Sequence, residues 1–229
     1  MRKKTETNTN YKEIAQPHSL MEAITNNLRN AIVEGKLHPG QQIKEVDLQE
    51  AMNVSRAPVR EALLKLEGQG LVEIVPRRGT FVRSMTPRFI QEIFTMRAWL
   101  EGLAARLSVK NLTDEDFKKF KTTLKDMARL AKEKNFKDFF FRHWDFHMIF
   151  TEKSNNRMLI DQIEVLRRQS LWHSYSITFF EKNYAATLKT HAKMVEIFKS
   201  GNEDEAENLI RSHILNAIDD FMKYVDKTY

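Results

Sequence analysis

Residues 53–83, NVSRAPVREALLKLEGQGLVEIVPRRGTFVR, leave the chain few arrangements to choose from. Asn53-Val54 makes a short turn into Ser55, a residue type whose side-chain oxygen accepts an orphan backbone N–H at a helix start. Pro58 then falls in the first helical turn, where N–H groups lack intrahelical partners, so its missing donor costs little. Leu63, Leu64 and Leu66 supply the buried side of this predicted helix, and Gly68 and Gly70 stop it. Two β-rich runs follow, Val72–Val75 and Thr80–Val82, joined by Pro76-Arg77-Arg78-Gly79. A helix and then a small basic hairpin is the layout of a winged helix. Arg56 and Arg60, four residues apart, share one helix face. Two forked guanidiniums there can enter a major groove and reach guanine edges or phosphates. Exposed arginines or a hairpin are ordinary when met singly; the ordered run points to double-stranded DNA.

The same run resembles the GntR family of regulators. Ser55-Arg56-Ala57-Pro58-Val59-Arg60-Glu61-Ala62-Leu63, then Gly70-Leu71-Val72, then Arg78-Gly79-Thr80-Phe81-Val82 match its hallmark nearly throughout. The resemblance implies a homodimer reading a palindromic operator with matching two-fold symmetry. Ser55, Arg56 and Arg60 would meet the DNA from the helix, and Arg77, Arg78 and Gly79 from the wing tip.

Length and charge fit this reading without adding to it. A chain of 229 residues suits one large or two small domains, and 41% hydrophobic residues suffice for proper cores. The net charge of +6 is spread evenly: residues 1–84 carry 13 Lys/Arg against 10 Asp/Glu, and residues 85–229 carry 24 against 21. Local placement of arginine, not bulk charge, marks the DNA-facing part. The absence of cysteine excludes disulfides and thiolate ligands. No apolar run approaches the roughly 20 residues that span a bilayer, and the polar stretch Met1–Gln16 lacks a signal core. A cytoplasmic protein without membrane contact is expected.

Ser19-Leu20-Met21-Glu22 reads as a capping box opening a helix whose apolar face carries Met21, Ile24, Leu28 and Ile32. Gly35 and Pro39-Gly40 end it, and a second helix is predicted over Glu45–Met52. Ser84–Pro87 is the joint, with Thr86-Pro87 starting the next helix. Beyond it the period predicts helices over 87–108, 113–134, 136–152, 156–178, 183–199 and 203–227, and short connections favour antiparallel packing. The expected chain is mainly α: a leader over 1–17, a winged helix-turn-helix domain over 18–84, and an all-α antiparallel six-helix bundle over 85–229.

Within that bundle, Phe136, Phe139, Phe140, His143, Phe146, His147 and Phe150 follow the amphipathic template with two histidines set in the apolar stripe. At about 100° per residue His143 and His147 point the same way, whereas Asp145 faces elsewhere. His191 shares a stripe with Leu188, Val195 and Phe198, and His213 shares one with Leu209, Ala217 and Phe221. A turn at Gly201 would bring these two imidazoles close. One inward histidine is ordinarily a satisfied core residue. Four imidazoles need partners on both ring nitrogens, and one cation would satisfy them together, with Zn²⁺ or Ni²⁺ suited to nitrogen ligands. Arg97 and Glu101 also share an inward stripe, in the weaker helical orientation for an ion pair.

This second part resembles the FCD domain, the all-helical ligand-binding module of the FadR branch of the GntR family. Many such domains hold a divalent metal through Asp-x-x-Phe-His and two later histidines. Phe146-His147, His191 and His213 match, as do Asn156 and Leu159. The departure is His143, which stands where the aspartate is expected. It supplies either a fourth nitrogen ligand or a lost ligand position. The resemblance implies a small organic acid effector, with Arg97 as its carboxylate anchor and Arg167, His173 and Tyr175 as further pocket candidates. Two other readings stay open. A catalytic zinc also shows three histidines and an open position, but no general base is evident here. A purely structural metal would leave regulation to DNA binding alone.

Overall fold

The computed structural model describes residues 20–33, 35–84, 86–169 and 173–225; the side chains of 33, 173–179, 224 and 225 fall outside that description. The leader and the Ser19 cap therefore lie outside the described residues, as do the side chains of His173 and Tyr175.

The first part runs α1 (Leu20–Val33), β1 (Gln42–Ile43), α2 (Glu45–Met52), α3 (Arg56–Gly68), β2 (Val72–Val75) and β3 (Gly79–Val82). α1 packs on α3, and the stripe Ile24, Leu28, Ile32 is buried together with Val59, Ala62, Leu63 and Leu66. Leu64 does not join them. It is 56% exposed, because positions 59, 62, 63 and 66 share one helical face and 64 is rotated about 100° from Leu63.

Ser55 occupies the helix-start position with extended backbone, but its hydroxyl makes no capping bond. Arg56 is the first helical residue, so the third is Pro58, and proline has no N–H to offer at the site a serine cap commonly uses. At the other end Gly68 stays helical and Gly70, at φ +70°, makes the reversal. Gly70 N donates to Glu67 O and Leu71 N to Leu66 O, the paired closure of a left-handed helix stop.

The strands form an antiparallel sheet in the order β1-β3-β2. β1 is an addition to the expected hairpin. Two residues carry no readable period, and Gln42 and Ile43 are strand only because they pair with Phe81 and Thr80.

The second part comprises α4 (Pro87–Ser108), a short 3₁₀ turn at Val109–Asn111, α5 (Asp114–Lys132), α6 (Phe136–Lys153), α7 (Arg157–Gln169), α8 (His173–Ser200) and α9 (Glu203–Val225). Thr86 caps α4 by accepting from Phe89 N, with Pro87 in the first turn. α4 is the hub, packing against α6, α7 and α9. Phe120 of α5 ties three helices together, with its ring centroid 4.8 Å from Phe146 of α6 and 5.6 Å from Phe198 of α8.

The expected break near residue 180 is absent: α7 ends at Gln169 and α8 already runs from His173. The reason lies in the stripe Phe180, Thr187, His191, Met194 and Phe198, buried throughout. It continues at helical spacing across the polar run Glu181-Lys182-Asn183, which is a solvated face and not a loop.

α5 opens with a complete capping box. Thr113 accepts from Asp116 N, and Asp116 accepts from the Thr113 backbone. Asp116 is 2% exposed and also meets Lys153 Nζ at 2.8 Å. Burial pushes its carboxyl up, but Lys153 and Thr113 outweigh this and hold it well below the usual carboxylate range. Its stabilising effect is therefore full above the unfolded value, about 3.9, and fades as pH falls below that. Asp116→Asn should lower unfolding free energy by about 1–3 kcal/mol at neutral pH. Urea titrations at several pH values should show the gap to the parent closing under acid conditions; a gap that widens would refute the assignment.

Candidate metal centre and nucleic-acid interface

Three helices deliver the histidines to one point. His143 and His147 come from successive turns of α6, His191 from α8 and His213 from α9, and one ligand atom from each lies within 4.8 Å of all the others. His147 and His191 are fully buried, whereas His143 and His213 are half-buried and line a cavity. Phe146 backs the cluster, its ring 4.7 Å from that of His191 in an edge-on contact.

Hydrogen bonds fix the ring tautomers. His147 Nδ1 lies 2.8 Å from Glu101 Oε2, and His191 Nδ1 lies 2.8 Å from the Thr187 carbonyl. An ionised carboxylate and a carbonyl only accept, so both rings carry hydrogen on Nδ1 and leave Nε2 bare. Those two Nε2 atoms face each other at 3.1 Å. Burial pushes His143, His147 and His191 well below the usual histidine range, helped by neighbouring positive groups, and takes His213 to about 4. Neutral rings put no proton between the two lone pairs. Four nitrogen donors converging in this way could hold a divalent metal ion. The carboxylate behind His147 and the carbonyl behind His191 are the outer contacts that orient metal-binding imidazoles.

Glu101 is the group the sequence left half-read. Its pairing with Arg97 is present, Arg97 Nε to Oε1 at 2.9 Å. Arg167 Nε adds a second cation at 3.5 Å, and the other oxygen serves His147. Burial pushes the Glu101 carboxyl up, but Arg167 and Arg97 outweigh it and keep it ionised. Burial also lowers Arg167 to about 10, which leaves it charged at neutral pH. The guanidiniums of Arg97 and Arg167 sit over the rings of Phe94 and Trp144. Asp145 is exposed and pairs with Arg142 at 2.7 Å, away from the histidines.

The cavity beside the cluster offers about 60 Å³ to the centres of water molecules, and Arg97, Arg167, His143, His147 and His213 contribute to its walls. That is room for about four or five waters, or a small organic molecule. Asn156, matched only by pattern in the sequence, caps α7 by accepting from Leu159 N, and Leu159 is buried.

In the winged helix Arg56 and Arg60 project from the start of α3, with side chains 68% and 61% exposed. Both lean on Glu45 at the start of α2, at 2.8 and 3.8 Å. Glu45 was not singled out by sequence, since an acid in a first helical turn is commonplace. At the wing, Arg77 has φ +64° and Gly79 φ +109°. A Cβ on Gly79 would stand 2.9 Å from the amide nitrogen of Gln42, the group that donates to the Arg78 carbonyl and braces the tip. Arg77 and Arg78 are exposed.

A winged helix with two arginines at the head of its third helix, joined to a six-helix bundle with a histidine cluster, defines a class of DNA-binding regulators with a helical second domain. The family model of the bacterial regulatory proteins of the gntR family matches residues 20–82, and that of the FCD domain matches residues 92–216. The chain belongs to the gntR family, in the group carrying an FCD domain. It is a DNA-binding transcriptional regulator, not an enzyme. It is similar to the HTH-type transcriptional regulator YdhC of Bacillus subtilis, 28% identical over 191 residues covering 82% of this chain and 84% of the relative. The HTH-type transcriptional repressor RspR of Escherichia coli is 30% identical over 140 residues, 61% of either chain. Among solved structures, E. coli McbR/YncC superposes with a TM-score of 0.74 at 21% identity, covering 90% of this chain and 98% of that one. Among the described residues no helix is long and apolar enough to cross a membrane.

Proposed function

We propose that two copies of the chain read a palindromic operator, and that a small organic anion held at the histidine centre sets operator affinity. The observation that carries the regulatory half is the pair of bare Nε2 atoms 3.1 Å apart beside a cavity. His143, His147, His191 and His213 would hold the metal, with His143 as a fourth nitrogen ligand. When bound, the ion supplies a Lewis-acidic anchor whose full +2 charge no anionic ligand offsets. Arg97 and Arg167, which share Glu101, attract the same kind of molecule from the cavity wall. The cavity limits the effector to a small acid.

A route to the DNA-binding part is at hand. Arg167 faces the cavity, and Gln169, two residues on, packs so closely on Gly70 that a Cβ there would strike its side chain. Gly70 is the residue that ends α3. An effector that binds the two arrangements of this contact unequally would shift the population of DNA-competent molecules.

On the DNA side Arg56 and Arg60 would reach base edges or phosphates, held in a fork by Glu45. Ser55, with no capping bond to make, would meet a phosphate, and Arg77, Arg78 and Gly79 would lie along the wing contact. Fluorescence anisotropy on the native operator tests these roles. Arg60→Ala should cost about 1–3 kcal/mol and relax preference at one base position. Arg77→Ala should weaken all sequences alike and reduce the salt slope by about one unit. Unchanged binding in Arg60→Ala would remove it from the reading face. If no small acid moves operator affinity in the metal-loaded protein, the metal is structural.

A further inference from the structure

The cavity beside the histidines is walled mostly by rings. Phe94 of α4, Phe140 and Trp144 of α6, Phe180 of α8 and Phe221 of α9 all line it, together with Ile214. The four phenylalanines are buried, and they are held in tilted pairs. Phe94 and Phe221 have ring centroids 5.0 Å apart, and Phe140 and Phe180 have theirs 6.0 Å apart. Phe180 also lies 4.9 Å from the His143 ring, so the aromatic wall reaches the histidine cluster itself.

Polar groups in this wall serve one end of a ligand and little else. Arg97 and Arg167 share Oε1 of Glu101, and each guanidinium lies against a ring, 5.1 Å from Phe94 and 5.4 Å from Trp144. They and the histidine nitrogens, which converge on one point, suit a single carboxylate. Thr187 spends its hydroxyl hydrogen on the Asn183 carbonyl at 3.0 Å, so it offers no donor. The body of a bound acid therefore faces ring and aliphatic carbon. A hydroxyl on that body would give up water for at most the Thr187 oxygen, and a second carboxylate would lose more. A ring or a branched hydrocarbon meets the tilted faces and edges that aromatic walls favour. A space for about four or five waters holds one small ring or a short branched chain.

We infer that the effector is a monocarboxylate with an apolar body, aromatic or branched, and that the rings around the cavity select it over hydroxy acids and dicarboxylates. The inference rests on the reading of this centre as the site of an acid effector. It adds which acids the chain answers to.

Isothermal titration calorimetry on the full-length, Zn²⁺-loaded chain tests it, with benzoate and isovalerate set against glycerate and succinate. Isovalerate and glycerate have the same number of non-hydrogen atoms, so polarity and not size separates them. The apolar pair should bind about tenfold more tightly or better. Phe180→Leu, checked for folding by circular dichroism and for zinc content, should weaken benzoate several-fold and leave glycerate unchanged. The parent's ranking decides the class whether or not that variant folds. Glycerate or succinate binding as tightly as the apolar acids would overturn the inference and leave an acid effector in place. Undiminished benzoate affinity in folded, zinc-replete Phe180→Leu would overturn the selecting role of the rings. If none of these acids binds, the acid-effector reading falls and the inference with it.

Discussion

Glu101→Ala is expected to lower the unfolding free energy of the metal-free chain by about 3–5 kcal/mol, the ordinary cost of removing one partner from a buried ionic group. Glu101 is wholly inaccessible and sits between Arg97, Arg167 and His147. Its loss would leave two guanidiniums, 8% and 3% exposed, without this counter-charge. It would also free the His147 ring to choose its tautomer. Loss of such an outer contact typically weakens metal affinity about 10–100-fold. Glu101→Gln separates the two effects. The amide can still accept from Nδ1, so the ring orientation is partly kept, but the charge is gone and the arginine pair is still destabilised. Urea unfolding of the metal-free protein reads the first effect, and competition against a chelating dye reads the second. If Glu101→Ala costs less than about 1 kcal/mol and leaves metal affinity unchanged, the carboxylate neither balances the arginines nor orients the histidine.

Glu101 also marks the boundary of what the sequence discloses. The inward direction of Arg97, Glu101 and all four histidines follows from helical period, because each lies in an apolar stripe. Helix length was equally plain where chemistry marks both ends. Thr86-Pro87 starts α4 at the expected residue. No such mark separates α7 from α8, and there the polar run Glu181-Lys182-Asn183 imitated a loop. The bond from Glu101 to His147 joins residues 46 apart on different helices, and nothing local encodes it. Short-range geometry could mislead as well. Ser55 has the sequence context of a capping serine, yet Pro58 removes the N–H it would serve. Leu64 is apolar in a mostly buried helix, but its angle, not its chemistry, decides its exposure.

His147→Ala should abolish metal binding, taking the content from about one ion per chain to almost none in protein purified without a histidine tag. The expectation is severe because the His147 ring is held at both nitrogens, with Nδ1 spent on Glu101 and Nε2 directed at His191. In the parent, metal at a hundred times its dissociation constant should add about 2.7 kcal/mol of stability, and a chelator should take it away. The variant should show neither response. His143 calls for a different contrast, since its place is where related domains are expected to carry an aspartate. His143→Ala leaves three nitrogens and should weaken binding without ending it. His143→Asp restores an anionic ligand and should keep the metal, but it cuts the net charge presented to the cavity by one. An anionic effector should then bind the aspartate variant less tightly while metal content stays the same. If His143→Ala binds metal as tightly as the parent, His143 is a wall of the cavity and not a ligand. If His147→Ala retains a full equivalent, the opposed nitrogens of His147 and His191 are a packing arrangement, and the regulatory reading built on them falls.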